Sequence, residues 1–172
     1  MTSWLPNPKL SKRMLTFLEH ALKDDILWDI CCDHGYVGIS ALHSGEFTKV
    51  HFVDQIPHIM ERLQTLINQK SKRNTCPYEL HVMSGEDLNI EVTGTVLIAG
   101  VGGMTIKIII DSLLSKEILK AQKLLLSPHT DEKVLVEYMQ TEQFKKYYDL
   151  SEKIMMAEGP RFRPLYIFEV KK

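Results

Sequence analysis

The sequence lacks the features of secreted and membrane proteins. Its 172 residues contain three cysteines, and two of them, Cys31 and Cys32, are adjacent. An odd count with neighbouring thiols does not suit a disulfide framework and indicates a reducing compartment. No apolar run approaches the roughly 20 residues needed to cross a bilayer, and the N-terminus has no signal-peptide pattern. We therefore expect a cytoplasmic protein without membrane contact.

An excess of charge of one sign is also absent. The 21 Lys and Arg residues nearly balance 22 Asp and Glu residues, so the net charge is −1. This balance excludes a general attraction to nucleic acid, and a polyanion would have to be held by local basic groups. The candidate basic clusters are Lys9, Lys12 and Arg13; Lys70, Lys72 and Arg73; Lys145 and Lys146; and Arg161 with Arg163. With 44% apolar and 25% charged residues, the chain has a globular composition, and its length predicts one domain over residues 1–172.

Periodicity along the chain predicts alternating strands and helices. A helix is expected at about 11–23, and then, in order, strand 26–31, helix 36–42, strand 49–54, helix 57–69, strand 78–83, strand 95–99, helix 104–114, strand 123–126 and helix 131–141. Two β-type runs, 147–156 and 165–170, predict a terminal hairpin. This order indicates an α/β fold with a mostly parallel sheet, helices on both faces and a reversed last strand.

The turn after the first strand is acidic and poor in glycine. Residues 29–35 include Asp29, Asp33 and a single glycine, Gly35. Ligands of open α/β sheets bind beyond the carboxyl ends of the strands, which is where this turn lies. Because carboxylates attract cations and repel phosphates, the turn favours a positively charged ligand over a dinucleotide.

The next two strands also end at polar residues. Asp54 closes the second strand 21 residues after Asp33, with Gln55 beside it, in the place where a carboxylate accepts hydrogen bonds from ribose hydroxyls. After the third strand, Glu86 and Asp87 are expected to contact an adenine amino group, and Leu88 to cover one face of the ring. These turns predict a nucleoside site.

Three glycines follow the fourth strand: Gly100, Gly102 and Gly103. Glycine permits positive φ and a close approach, so a flat acceptor ring is expected here. One cationic ligand with ribose and adenine suits all four turns, namely S-adenosylmethionine, and the reaction is then methyl transfer. The pattern resembles the class I methyltransferase fold, a Rossmann-like three-layer α/β/α fold with seven strands in the order 3-2-1-4-5-7-6.

Three segments, residues 10–13, 29–36 and 96–103, together resemble the bacterial tRNA adenine-N1 methyltransferases that modify adenine 22. Their most specific feature is the pair Asp33 and His34 inside the first loop. The resemblance implies S-adenosylmethionine as cofactor, tRNA as partner and N1 of a flipped adenine as acceptor. The flipped ring is expected to rest against the turn of Gly100, Gly102 and Gly103, with Tyr36 or His129 nearby. RNA phosphates are expected to contact Lys12, Arg13, Arg161 and Arg163. The cofactor would contact Asp29, Cys31, Asp33, His34, Gly35, Tyr36, Asp54, Gln55, Glu86, Asp87, Leu88 and Gly100.

The sequence departs from that family at three places. Cys31 stands where the loop normally has glycine, and Ser127 and His129 replace amide residues near the acceptor. The family also ends in a helical coiled-coil domain, which the sequence up to Lys172 does not contain, so a further subunit is one expected source of RNA-binding surface. The contiguous residues 31–34 lack the spacing of metal ligands, and no metal site is predicted.

Two alternatives to a tRNA adenine methyltransferase follow from these departures. The first is a methyltransferase for another RNA or for a small molecule. The second is a catalytically inactive partner protein that keeps the fold and works bound to another chain.

Overall fold

The sheet is the centre of the computed structural model, which describes residues 10–172. Over these residues it has seven strands in the order β3-β2-β1-β4-β5-β7-β6, which confirms the predicted order. β1 to β5 run parallel to one another, and β7 is antiparallel to both β5 and β6. The strands are β1 Asp25–Ile30, β2 Phe47–Asp54, β3 Tyr78–Val82, β4 Thr95–Ala99, β5 Lys123–Ser127, β6 Tyr148–Glu158 and β7 Arg161–Val170.

Helices cover both faces of this sheet. They are α1 Lys12–His20, α2 Tyr36–Ser44, α3 Pro57–Gln69, α4 Gly103–Ser115, α5 Glu132–Met139 and α6 Glu142–Lys145, with short 3₁₀ turns at Ser71–Arg73 and Gly85–Asp87. Buried side chains of α1, α2 and α3 pack on one face, and those of α4 and α5 pack on the other. The predicted three-layer arrangement is confirmed.

The central strands read as continuous apolar runs because both of their faces are buried. In β4, Val96 and Ile98 belong to the core under α4, while Leu97 between them belongs to the core under α1, α2 and α3. A strand whose side chains alternate between two covered faces has no polar side to show. The apolar runs therefore predicted the strands but could not predict which side of the sheet each side chain faces.

Helix α1 ends three residues earlier than its predicted limit. Ala21 takes an extended conformation, and the Leu22 N–H donates to the hydroxyl oxygen of Thr95 at 3.0 Å instead of continuing the helix. The helix predicted at 131–141 likewise ends early, at Met139, and the Thr141 hydroxyl accepts a hydrogen bond from Phe144 N–H that starts the separate short helix α6. In both places a side-chain oxygen competes with the helical backbone pattern.

The hairpin strands are longer than predicted, with β6 reaching Glu158 and β7 beginning at Arg161. Their extension carries the connecting turn to the end of the sheet where the parallel strands terminate. At that end β1, β2 and β4 lie side by side, so the turns that follow them meet. Among residues 10–172, no helix combines the length and apolar character needed to cross a membrane.

Tyr148→Phe tests how the edge strand β6 is held. The buried Tyr148 hydroxyl donates to the Ala121 carbonyl at 2.9 Å, just before β5. Removing it leaves that carbonyl without this donor, and we expect a loss of about 1 kcal/mol in the free energy of unfolding. Chemical denaturation measures the loss, with Tyr147→Phe on the partly exposed neighbour as control. Equal stability of the Tyr148 variant and the native chain would contradict this role.

Candidate active site

A cleft of about 390 Å³ opens where the turns after β1, β2 and β4 meet. Its walls also include Arg13, Met14 and Phe17 from α1 and Glu158 from the hairpin. The structure brings eight of the predicted cofactor-binding residues to this cleft: Asp29, Cys31, Asp33, His34, Gly35, Tyr36, Asp54 and Gly100. The turns after three parallel strands therefore converge, as the parallel topology requires, and α1 and the hairpin complete the walls.

A second cavity of about 360 Å³ adjoins the first. The two share Cys31, Asp54, Ile56 and Val101, and the second adds Gln55 and Glu86 from the predicted set. Together they form one elongated site that crosses the ends of β1 and β2 and has room for an extended ligand.

Asp54 links the two turns on either side of this site. Its Oδ2 accepts a hydrogen bond from Asp33 N–H at 3.0 Å, and its Oδ1 accepts one from Ile56 N–H at 3.1 Å. Each carboxylate oxygen keeps a second acceptor position, so the side chain can hold the turns and still receive ligand hydroxyls.

The loop after β1 has a left-handed backbone at three positions. φ is +59° at Cys31, +48° at Asp33 and +67° at Gly35, and only the last is a glycine. Left-handed non-glycine residues cost about 1–2 kcal/mol each and cluster at functional sites. Cys32 N–H bonds to Val53 O at 3.1 Å, and Gly35 N–H bonds to Cys32 O at 2.8 Å, which holds this conformation. Cys31 therefore takes the conformation that a glycine would favour.

Carboxylates surround the centre of the cleft. Asp29 is buried, and desolvation raises its pKa to about 7, although Gly38 N–H donates to its Oδ2 at 3.0 Å; the charge of Asp54 raises the pKa further. Burial also raises the pKa of the Cys31 thiol to about 12, followed by the charges of Asp54, Asp29 and Glu86. The site thus favours a positive charge and disfavours an additional anion.

His34 and Tyr36 form the rim beside helix α3. His34 Nδ1 lies 2.8 Å from Asp33 Oδ2, and the rings of His34 and Tyr36 are 5.6 Å apart. Both side chains are exposed and line a smaller pocket of about 180 Å³ with Arg62. This rim offers an aromatic surface next to the cleft.

Glu158 joins α1 to the hairpin through two arginines. Arg13 Nη1 lies 2.7 Å from its Oε1, and Arg163 Nε lies 2.9 Å from its Oε2. Sequence reasoning missed Glu158, and no local signal marks it, because Arg13 is 145 residues away. We name this group, Arg13, Glu158 and Arg163, the arginine clasp.

The clasp divides the four basic residues predicted to bind RNA. The Arg13 and Arg163 side chains are only 11% and 12% exposed and already ion-paired, whereas Lys12 and Arg161 are exposed. Arg163 also donates from Nη1 to the His129 carbonyl at 2.7 Å and from Nη2 to His129 Nε2 at 2.8 Å. Contacts of Arg13 and Arg163 with RNA stay a prediction. Their ion pairs with Glu158 do not favour such contacts.

The three glycines after β4, the turn at which a flat acceptor ring is predicted, have different surroundings. Gly100 has φ +79° and borders the cleft, with open space where a side chain would start. Gly103 instead packs against the loop before α5, where an added Cβ would lie 2.3 Å from Asp131 O. Gly102 faces the same loop. Of these three glycines, Gly100 alone lines the cleft.

The remaining predicted residues lie around the cleft rather than in it. His129 is tied to the glycine turn, with its N–H donating to Val101 O at 2.8 Å. Its buried Nδ1 has no hydrogen-bond partner among the described residues. Leu88 is packed in the core, and neither Leu88 nor Asp87 lines either cavity, so their predicted adenine contacts gain no support from the geometry.

Solved structures share this architecture. B. subtilis M1A22 tRNA methyltransferase TrmK superposes with a TM-score of 0.78 at 20% identity, covering 95% of this chain and 67% of that one. Streptococcus pneumoniae Sp1610, described as a candidate tRNA (m1A22) methyltransferase, has a TM-score of 0.80 at 19% identity over 94% and 70% of the chains. M. capricolum TrmK in complex with S-adenosyl-homocysteine has a TM-score of 0.74 at 18% identity over 95% and 70%. At these identities the likeness establishes the fold.

Comparison by sequence is consistent with this fold. No curated protein matches the chain. A family model described as a methyltransferase domain matches residues 10–162, which is most of the sequence. The protein therefore belongs to the methyltransferase domain family.

Proposed function

We propose that the chain is an S-adenosylmethionine-dependent methyltransferase whose acceptor is N1 of an adenine in tRNA. The observation that carries the cofactor assignment is the elongated cleft with Asp29, Asp54 and Glu86 around its centre. The residues fit a cationic nucleoside because the site combines acidic groups with a free acceptor capacity at Asp54. S-adenosylmethionine supplies, when bound, a methyl group activated by its positive sulfonium.

Each part of the cleft has a task in holding that cofactor. Asp54 accepts hydrogen bonds from the ribose hydroxyls, as its position after β2 suggests. Asp29 and the loop after β1 receive the positively charged part. The second cavity takes the adenine, and Gln55 lies at its edge, where its Oε1 accepts a hydrogen bond from the Ser84 hydroxyl at 2.8 Å.

The acceptor assignment is supported by the fold neighbours and by the rim of the cleft. Two of those neighbours are named as TrmK, and Sp1610 was also solved with S-adenosyl-L-methionine. Adenine N1 has a lone pair at neutral pH, so the chain has to align the base rather than remove a proton from it. Gly100 leaves room at the rim for a flipped adenine, and the exposed Tyr36 ring offers a stacking surface.

Lys12 and Arg161 are the exposed cations that we assign to phosphate contacts near the cleft. The arginine clasp holds α1, which carries Lys12, against the hairpin, which carries Arg161. A further subunit that adds RNA-binding surface stays a prediction. A cytoplasmic location is in keeping with a tRNA acceptor.

Two assays test the proposal. Calorimetric titration with S-adenosylmethionine measures cofactor binding, and absence of binding at millimolar concentration would contradict any methyltransferase activity. Incubation with unmodified tRNA, followed by mapping of methylated bases, tests the acceptor. Methylation of small molecules or of another RNA alone would replace the tRNA assignment, and cofactor binding without any transfer would indicate the inactive partner protein.

Asp54→Ala should weaken S-adenosylmethionine binding by about 1–3 kcal/mol, because hydrogen bonds to a charged acceptor are lost. The dissociation constant from calorimetry measures this change. Asp149→Ala, which removes an exposed carboxylate from β6, serves as the matched control and should bind like the native chain. An unchanged affinity of the Asp54 variant would remove this residue from the site.

Affinity for S-adenosylmethionine should rise with pH because Asp29 must lose its proton to attract the sulfonium. Burial raises the pKa of Asp29 from 3.8 to about 7, so the folded chain binds this proton more tightly than the unfolded chain. The Asp29 contribution to stability of the free protein therefore falls as pH rises between these two values, while ligand affinity increases towards about pH 8.

Calorimetry on Asp29→Asn checks this linkage. The variant cannot ionise at this position, and its affinity should vary less with pH than that of the native chain. S-adenosylhomocysteine, which lacks the sulfonium charge, should also show a shallower dependence. If the affinity of Asp29→Asn for S-adenosylmethionine changed with pH as much as that of the native chain, the pH dependence would belong to another group.

The double variant Lys12→Gln, Arg161→Gln should bind tRNA more weakly and with a smaller salt dependence. Each phosphate contact contributes about one unit to the slope of log affinity against log salt concentration, so we expect a decrease of about 1–2. Filter binding at several salt concentrations measures it. Lys171→Gln, at the opposite end of β7, is the control, and equal slopes for the two variants would overturn the assignment.

A further inference from the structure

Two histidines and a glutamate lie together on β2 and the neighbouring edge strand β3, apart from the cleft. His51 is paired with Glu79 across the two parallel strands, and His81 follows Glu79 by two residues, so all three side chains share one face of the sheet. Their ligand atoms all lie within 4.8 Å of one another. None of the three lines the two cavities of the cleft.

The distances between these atoms match the coordination sphere of a metal ion. His51 Nδ1 is 2.8 Å from His81 Nε2, and Glu79 Oε2 is 3.6 Å from the first nitrogen and 3.7 Å from the second. A point equidistant from three atoms at these separations lies in their plane about 2.0 Å from each, which is the bond length of zinc to imidazole nitrogen and carboxylate oxygen. The two nitrogens have to move apart to about 3.3 Å for a bound zinc ion to take tetrahedral angles.

A direct hydrogen bond between the two rings explains only part of this arrangement. It accounts for the 2.8 Å contact of His51 and His81, but Glu79 Oε2 faces both nitrogens at distances too long for a hydrogen bond. The other oxygen of that carboxylate, Oε1, is held by Lys49 Nζ at 2.7 Å. A cation between the three atoms would use the oxygen that the protein leaves pointing at the rings.

The surroundings hold the ligands in place. The Trp28 ring stacks on His51 with centroids 3.7 Å apart and planes 6° apart, which fixes the orientation of that imidazole. The His51 and His81 side chains are 5% and 13% exposed, while that of Glu79 is 49% exposed. A pair of largely buried imidazoles beside an accessible carboxylate gives the ion an entry path and ligand atoms that are already close together.

We propose that His51, Glu79 and His81 bind a divalent transition-metal ion, with Zn²⁺ as the expected occupant. Two imidazoles and one carboxylate are a common zinc ligand set, and three protein ligands leave one tetrahedral position for water. The ion would tie the edge strand β3 to β2. This site differs from the sequence expectation of no metal, which rested on the contiguous residues 31–34.

Zinc uptake by the metal-free protein tests this site. The full chain is treated with a chelator, desalted and titrated with ZnCl₂ in a calorimeter, and bound zinc is counted by elemental analysis. We expect one zinc per chain and a higher melting temperature with zinc present, because an ion that binds only the folded state stabilises it. Co²⁺ in place of Zn²⁺ should give the visible absorption of a tetrahedral site.

Glu79→Gln and His81→Gln should each lower zinc affinity by at least about tenfold, since loss of even an outer-shell partner has that effect. His58→Gln, exposed on α3, is the matched control and should bind zinc normally. Circular dichroism checks that each variant is folded. Because the Glu79 side chain is half exposed, we expect Glu79→Gln to disturb folding less than His81→Gln does.

The outcomes that overturn the proposal are distinct. Absence of zinc uptake by the native chain would leave only the hydrogen bond between the rings. Undiminished binding in both folded variants would place the zinc elsewhere, for instance on the thiols. Neither result bears on S-adenosylmethionine binding, which is measured separately.

Discussion

The carboxylate of Asp54 is the contact on which the cleft depends. It accepts one backbone N–H from the loop after β1 and one from the turn after β2, so a single side chain sets the distance between both walls. The same oxygens keep capacity for a ligand. In our proposal, structural and binding roles therefore coincide in Asp54, which lies at a strand end where neighbouring turns meet.

The acidic centre of the cleft and the left-handed loop after β1 both cost free energy of folding. Burial makes the charge of Asp29 costly, and Cys31 and Asp33 adopt left-handed conformations that non-glycine residues rarely take. Both costs are local and are borne by the packed sheet beneath. A cationic ligand would offset the cost of the charged Asp29 directly, because it would lie beside the buried carboxylate as a partner of opposite charge.

The arginine clasp shows how a chain with almost no net charge organises its cations. Arg13 and Arg163 are used to hold α1 against the hairpin through Glu158, and Arg163 additionally holds His129. These arginines shape the acceptor side rather than offer free charge. RNA affinity in our proposal consequently rests on few exposed cations, which is why its salt dependence is informative.

Much of the fold could be predicted from local patterns. The buried runs of β1 and β4 and the alternating helices determined a parallel sheet, and the chemistry of parallel sheets then placed Asp33, Asp54 and Gly100 at one edge. Acidic turns without a glycine-rich loop determined the preference for a cation. These inferences succeed because periodicity and strand-end position are properties of neighbouring residues.

Only the tertiary structure decided which residues that are distant in sequence lie together in space. It separated Gly100 from Gly103, paired Glu158 with an arginine 145 residues away, and brought His51 beside Glu79 and His81 on adjacent strands. Such groupings arise from strand register and packing between distant segments. The sequence by itself determined the elements and the edge where a ligand binds, whereas three-dimensional contacts determined the partners, because no local pattern encodes a long-range distance.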